Sequence, residues 1–303
     1  MHDMEFRTQL RQCLIDVARA LRQLYGRPAS RRALAILHLT PLLSRWYYRC
    51  TKPADGIVRV RVQHVRAQFR VRTDDEFVLL ELLAGSAGEK HLIELMLTLL
   101  RPGDVAYDVG ANMGLYTVFF SKQVGPQGRV IAFEPLRANY QRLQGNVALN
   151  RLENVRCFQK ALGHCNGTAD IYASSNIGNF SLLRRKDAYE KPAERVEVIT
   201  GDDLLAAGTC PVPRVIKIDV EGYEHAVLRG LAGTLNRPEC EFVLCEMHPS
   251  LQPAETDSDD LLKLLRTAGF QRVAYYRRAS SDIYHVVASK AAGVGGLSDS
   301  ENG

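Results

Sequence analysis

The sequence predicts an α/β fold: a doubly wound, mostly parallel sheet that ends in an antiparallel hairpin, preceded by an N-terminal helical and β appendage. Two observations carry the prediction. From residue 104 onward, short apolar runs ("DVAYDVG", "GRVIAFEP", "VRCFQKAL", "RVIKIDV", "EFVLCEM") alternate with helical stretches ("GLYTVFFSKQV", 136–150, "EHAVLRGLAGTL", "LLKLLRTAG"). Strands and helices in alternation imply a parallel sheet covered on both faces. Two final runs, "QRVAYYRR" and "IYHVVAS", are joined only by the polar "RRASSD", which makes them an antiparallel pair at one edge.

The elements before the sheet follow from periodicity. Phe6, Leu10, Leu14, Val17, Leu21 and Leu24 recur at helical spacing, so residues 5–25 read as an amphipathic helix. Gly26, Pro28 and Ser30 interrupt it, and a second helix is expected over 31–48. Residues 57–72 switch to a period of two: Val58, Val60 and Val62, then, after a phase slip at His64, Val65, Ala67, Phe69 and Val71. Such a slip predicts a bulge or tight turn between two strands. "TDDE" (Thr73 to Glu76) has capping-box spacing and predicts a helix start. The expected division is therefore a basic appendage over 1–72, the α/β domain over 73–290, and a Gly/Ser-rich disordered tail over 291–303.

Charge and composition narrow the function. The 303 residues carry a formal +5, with 46% hydrophobic and 24% charged residues, ordinary values for a soluble protein. Fifteen Lys/Arg against four Asp/Glu give residues 1–72 a formal +11 and leave −6 on the rest. A basic arm can meet nucleic acid, anionic lipid, an anionic substrate or the protein's own acidic body. Without interleaved aromatics, a zinc pattern or a helix-turn-helix, sequence-specific nucleic-acid binding is not expected. Peripheral membrane contact through 5–25 is a second reading of that helix, beside packing on the protein body. Seven cysteines form no CxxC pair, and "MHDMEFRTQLRQCL" is charged throughout. Both point to reduced thiols in the cytoplasm. The most apolar early run, "ALAILHLTPLL", is too short for a membrane span.

The first strand of the sheet ends in "DVGANMG" and leads directly into a helix. Gly110 and Gly114 permit a tight turn and close approach to a ligand, and helix N-terminal amides there favour a carboxylate. The spacing matches neither the dinucleotide fingerprint nor the phosphate loop, which counts against an oxidoreductase. Asp108 stands at the strand end, and Glu134 ends the next strand in "IAFEP", placed to accept two ribose hydroxyls. A ligand with an amino-acid end, a cationic centre and a ribose fits an acid at both strands: S-adenosylmethionine.

With these residues in place, the sequence resembles the FkbM-type S-adenosylmethionine-dependent methyltransferases. "DVGANMGLYT", "FEPLRANYQRLQGNVALN", "KIDVEGYEHAVLRG" and "CEMHP" carry the resemblance, in that order, across about residues 104 to 249. It implies a class I, Rossmann-like methyltransferase fold and O-methylation of a hydroxyl on a sugar, glycan or secondary metabolite. Residue by residue it implies that Asp108, Gly110, Asn112 and Gly114 hold the methionine part and Glu134 the ribose. Ala161 and Leu162 fall where such folds contact adenine. The acceptor stays open. A reading of another class, a non-catalytic cofactor-binding scaffold that docks a membrane or glycan-synthesis partner, stands as the alternative.

Lys217, Asp219 and Glu221 share one side of a period-two strand in "IKIDVEG". If that strand stays extended to Glu221, both acids reach the cleft; Glu246 and His248 arrive at the same rim if "EFVLC" is its neighbour. Three readings remain open. Asp219 or His248 is a general base, with Lys217 modulating local charge. Alternatively Asp219, Glu221, Glu246 and His248 gather a divalent cation. Or Asp219 and Glu221 cap the next helix and neutralise Lys217. Asp219, Glu221, His248 and Lys217 are the expected catalytic residues, and no residue is assigned as a metal ligand. The polar stretch 173–195 reads as a long loop that could cover a bound sugar.

Overall fold

The computed structural model describes residues 53–72, 80, 89–173, 180–181, 194–251, 258–277 and 282–290. The helices expected over 5–25 and 31–48, the helix start at "TDDE", the tail from 291 and most of the 173–195 stretch lie outside the described residues. The chain forms two compact units, Met1–His91 and Leu92–Gly303. Among the described residues no helix is long and apolar enough to cross a membrane.

In the first unit, β1 (Ile57–Val62) and β2 (Val65–Arg70) pair antiparallel, with Val62 opposite Val65. The phase slip is thus a two-residue turn, Gln63–His64, with Gln63 at φ 51. It keeps Val58, Val60, Val62, Val65, Ala67 and Phe69 on the buried face, while Arg59, Arg61, Arg66 and Arg70 stay exposed.

The second unit is built on a seven-stranded sheet. In chain order, α1 (Glu89–Leu99) runs across the boundary between the units, and β3 (Val105–Val109), α2 (Leu115–Val124), β4 (Arg129–Phe133), α3 (Arg137–Leu149) and β5 (Val155–Phe158) follow. Then come β6 (Ala161–Leu162), β7 (Gly167–Ala173), β8 (Phe180–Ser181), β9 (Glu194–Ile199), α4 (Gly201–Ala206) and β10 (Val215–Ile218). The chain continues through α5 (Glu224–Arg229), α6 (Ala232–Asn236), β11 (Phe242–Met247), α7 (Ser258–Thr267), β12 (Arg272–Arg277) and β13 (Tyr284–Ser289). The sheet order is β12-β13-β11-β10-β3-β4-β5. Every pairing from β11 to β5 is parallel; β13 runs antiparallel to both its neighbours. This is the doubly wound, mostly parallel sheet with a terminal antiparallel hairpin that the sequence predicts. The chain moves outward from β3 through β4 to β5, then returns to place β10 on the other side of β3. The switch in strand order, where such sheets bind ligands, is therefore the β3–β10 pair.

Three sequence expectations change here. "VRCFQKAL" is not one strand: β5 closes the main sheet, and β6 pairs with β9 in a second sheet of order β6-β9-β7-β8. The irregular region is in part that sheet. β9 buries Val196 and Val198 between exposed Arg195 and Glu197, an alternation hidden by the polar residues around it. "EHAVLRGLAGTL" is two helices. Its break falls at Gly230, whose added Cβ would sit 1.8 Å from the Gly163 carbonyl oxygen. Asp202 then starts α6 by accepting 2.7 Å hydrogen bonds from the Gly233 and Thr234 amides, the usual service of an acid at a helix N-terminus.

Gly230→Ala is expected to destabilise the protein by about 1–3 kcal/mol, the cost of forcing atoms into packed structure. Gly145 lies exposed in α3 with nothing within 4 Å of an added Cβ, so Gly145→Ala should stabilise by about 0.5–1 kcal/mol. Urea unfolding midpoints of the two variants should move in opposite directions.

Candidate active site

At the switch, two loops leave the carboxyl ends of β3 and β10 side by side. The Asp219 amide donates to the Val109 carbonyl (3.0 Å), and the Gly110 and Ala111 amides both donate to the Phe133 carbonyl of β4 (3.0 Å each). Gly110 has φ 75, and a Cβ there would lie 1.8 Å from the Asp219 carbonyl oxygen. The glycine is demanded by the neighbouring strand's backbone as well as by its left-handed turn. Gly114, at φ 88, meets Leu143 of α3: an added Cβ would be 2.7 Å from Leu143 Cδ1. Its work is to let α3 pack beneath the loop.

The stretch from Glu134 to Asn146 holds this loop in shape. Glu134 is buried, and its two carboxylate oxygens accept from the Asn112 amide (2.8 Å) and the Leu136 amide (3.0 Å). Asn146, also buried, donates from Nδ2 to the Met113 carbonyl (2.8 Å). Asn112 itself stands at φ 50. Burial pushes the Glu134 carboxyl up to about 7, against the pull of those amide hydrogen bonds.

Lys217 sits at the centre. It is 5% exposed and donates from Nζ to the Gly110 carbonyl (3.0 Å). It lies 3.4 Å from Asp108 Oδ1, 3.5 Å from Asp219 Oδ2 and 5.2 Å from the centre of the Tyr116 ring. Asp108 is fully buried and accepts a 2.5 Å hydrogen bond from Thr117 Oγ1. Asp219 keeps a 30% exposed side chain. Burial among protein groups pushes its carboxyl upward; Lys217 opposes the shift, and the charges of Glu246 and Glu221 add to it.

The strand does not stay extended to Glu221. β10 ends at Ile218, and Glu221 and Gly222 take φ 52 and 98. The turn nevertheless swings Glu221 back beside Asp219. β11 is the neighbour of β10, and it delivers His248 to the same place: one ligand atom each from Asp219, Glu221 and His248 lie within 4.8 Å of one another. His248 Nδ1–H donates to Oε1 of the buried Glu224 (2.8 Å), which also accepts from the Gly222 amide (2.9 Å). Burial opposes a charge on His248, but the Glu224 hydrogen bond and charge outweigh it and push the imidazole up to about 9. Glu246 does not join the group. Its carboxylate pairs instead with His285 across the β11–β13 register, 3.5 Å away.

A cleft opens at this end of the sheet. Gly110, Asn112, Glu134, Ala161, Leu162, Asp219 and Glu221 line it. Asp108, Gly114, Lys217 and His248 are not among its lining residues. Asn139, Ile171 and Tyr223 also line it, and sequence reasoning gave them no role. Asn139 lies inside a motif already singled out, but Ile171 enters from the second sheet, which the sequence did not announce. Glu224 was missed as well, because its partner His248 is 24 residues away and on another strand. The wall fits a nucleoside with an amino-acid tail. Glu134 offers a carboxylate with lone pairs to spare, Phe133, Leu162 and Ile171 supply apolar surface, and the 110–112 turn supplies backbone polar groups.

The model of the methyltransferase FkbM domain matches residues 108–272, more than half of the chain. The chain belongs to that family. Hexuronic acid methyltransferase AglP of Haloferax volcanii is 29% identical over 202 residues, 67% of this chain and 77% of that protein. The 31-O-demethyl-FK506 methyltransferase FkbM of Streptomyces tacrolimicus is 26% identical over 264 residues, 77% of this chain and 94% of that protein. A solved structure, Methyltransferase FkbM from Methylobacillus flagellatus KT, aligns at 17% identity over 73% of this chain and 56% of that one, with a TM-score of 0.43. This chain is an S-adenosylmethionine-dependent methyltransferase of the FkbM type.

Ribose hydroxyls donate better to a carboxylate than to a carboxylic acid. Burial pushes the Glu134 carboxyl up to about 7, so if Glu134 receives the ribose, as the family resemblance implies, S-adenosylmethionine affinity should rise as pH increases from 6 to 8. Calorimetric titration across that range should show the trend in the parent protein and lose it in Glu134→Gln, which should also bind the cofactor more weakly at pH 8.

Proposed function

We propose that this protein methylates a hydroxyl of a sugar, glycan or secondary metabolite. One observation carries the reading: Asp219 and Glu221, backed by His248, occupy the cleft wall that also includes Glu134. An acidic group beside a cofactor site is what a weakly acidic alcohol needs to lose its proton. The relatives named for a hexuronic acid and for a 31-O-demethyl substrate support the same class of acceptor.

In this reading Glu134 receives the ribose hydroxyls, the Gly110–Asn112 turn meets the methionine end, and Ala161 and Leu162 border the base. Asp108 and Gly114 hold that turn from behind. Bound S-adenosylmethionine supplies an electrophilic methyl group on a sulfonium. Asp219 and Glu221 orient the acceptor hydroxyl in the cleft and Asp219 draws off its proton, while Lys217 fixes the Asp219 carboxylate and His248 supports the pair from behind. The cytoplasm is the proposed setting, supported by the five described cysteines, all free thiols.

The test is a screen of sugar and polyketide alcohols with a labelled methyl donor. Label should enter at least one hydroxyl-bearing acceptor. Asp219→Asn should lower turnover by about 10²–10⁴-fold, the range for loss of proton-transfer catalysis, while cofactor affinity changes less than about threefold. Equal loss of cofactor binding and turnover would refute the role given to Asp219.

A further inference from the structure

We infer that Asp219, Glu221 and His248 form a site for a hard divalent cation, of the Mg²⁺ or Mn²⁺ kind, that activates the acceptor hydroxyl. The inference rests on the proposed methyl transfer to a hydroxyl and says how that group performs it. In the sequence a cation held by Asp219, Glu221, Glu246 and His248 is one of three open readings; the folded arrangement supplies two reasons to favour it, without Glu246.

The first is convergence. A carboxylate oxygen from Asp219, one from Glu221 and a ring nitrogen of His248 come within 4.8 Å of one another. Six-coordinate ions of this size hold ligands at about 2.0–2.2 Å, which separates ligand atoms by about 3 Å when adjacent and just over 4 Å when opposite. Small side-chain adjustments bring the three atoms onto such a sphere. They come from two elements that neighbouring parallel strands bring together, the turn after β10 and the end of β11.

The second, independent reason is the orientation of His248. The residue is 2% exposed, and its Nδ1 is committed to Glu224 Oε1 at 2.8 Å. Nε2 is thereby aimed at the acidic pair, 3.6 Å from Glu221 Oε2 and outside hydrogen-bond range of it. A carboxylate that fixes one imidazole nitrogen so that the other faces a ligand cluster is the usual outer support of a metal-bound histidine. Glu224 is itself pinned by the Gly222 amide, so the histidine cannot swing away without unmaking the turn that presents Glu221.

Two carboxylates and one imidazole suit Mg²⁺ or Mn²⁺. Three protein ligands leave coordination positions for water and for the acceptor oxygen on the cleft side, where Asp219 and Glu221 are exposed to the opening. The cation takes the place of any proton on His248 Nε2. With Asp219 held as a ligand, a hydroxyl bound to the cation gives its proton to water in the open cleft instead of to Asp219, and the alkoxide oxygen is the nucleophile. Glu224 is a positioning residue: it touches neither acceptor nor cofactor.

The experiment is Mn²⁺ binding by the full-length chain, stripped with EDTA and then dialysed, followed by electron paramagnetic resonance with Mn²⁺ alone as the probe. One Mn²⁺ per chain is expected. Asp219→Asn and His248→Ala should each weaken binding at least tenfold, and Glu224→Gln by about 10–100-fold. Retained S-adenosylmethionine binding, measured calorimetrically, identifies variants that have folded. Failure of the parent protein to bind Mn²⁺, or binding unchanged in folded Asp219→Asn and His248→Ala, overturns the inference. So does labelled methyl transfer that is indifferent to EDTA, an outcome that leaves the methyl-transfer reading intact. Stoichiometric, variant-sensitive Mn²⁺ binding with no transfer to any alcohol would support the site and count against the acceptor class.

Discussion

One buried ammonium holds the centre of this molecule. Lys217 projects from the middle of the sheet and meets Asp108 of β3, the Gly110 carbonyl and Asp219. Those partners are the end of one strand, the turn that follows it and the end of its neighbour. Taking an ammonium out of water costs several kcal/mol, and the placement is tolerable only because two carboxylates, a carbonyl and the face of Tyr116 surround it. Such a group adds little net stability against an apolar alternative, yet removing one member typically costs about 3–5 kcal/mol. Its effect is positional. The switch in strand order opens a crevice by topology, and Lys217 fixes where the two sides of that crevice stand.

The opposite end of the same strands is fastened differently. Arg214, just before β10, forks onto Glu241 with contacts of 3.1 and 2.9 Å, reaches Asp104 at 3.0 Å, and donates to the Leu99 carbonyl. Glu241 and Asp104 precede β11 and β3, and Leu99 ends α1. A bidentate arginine pair is geometrically strict, so it sets the starting register of three adjacent strands. With one end clamped by Arg214 and the other by Lys217, the four-residue β10 is a short rigid spacer. The chemistry-bearing side chains are all at the Lys217 end.

Much of this was legible in the sequence, for reasons specific to the elements. The apolar runs of β3, β4, β10 and β11 are bounded by charged or glycine residues, and period and length suffice to find them. Glu134 and the glycine turn were legible because their spacing is set by local geometry: a strand end, a tight turn and a helix start. The second sheet was not, since β6 and β8 have two residues each and β9 is polar on its outer side. Nor could the sequence separate the jobs of the glycines. Gly110 answers to the Asp219 backbone and Gly114 to Leu143, contacts made across 109 and 29 residues. The acids of "IKIDVEG" were placed at the right rim on a wrong premise, because the strand turns at Glu221 and does not continue. Glu224 was invisible as a functional group until β11 brought His248 to it.

The hydrogen bonds of Glu134 carry one more consequence. Both carboxylate oxygens already accept backbone amides, from Asn112 across the turn and from Leu136 at the start of α3. This part of the cleft wall is therefore ordered before any ligand arrives, and a nucleoside entering it, as proposed, has little backbone to freeze. The conformational entropy that an induced site would charge against affinity has been settled during folding. Discrimination can then rest on the mobile partner, the alcohol, while the donor site remains the same for every acceptor.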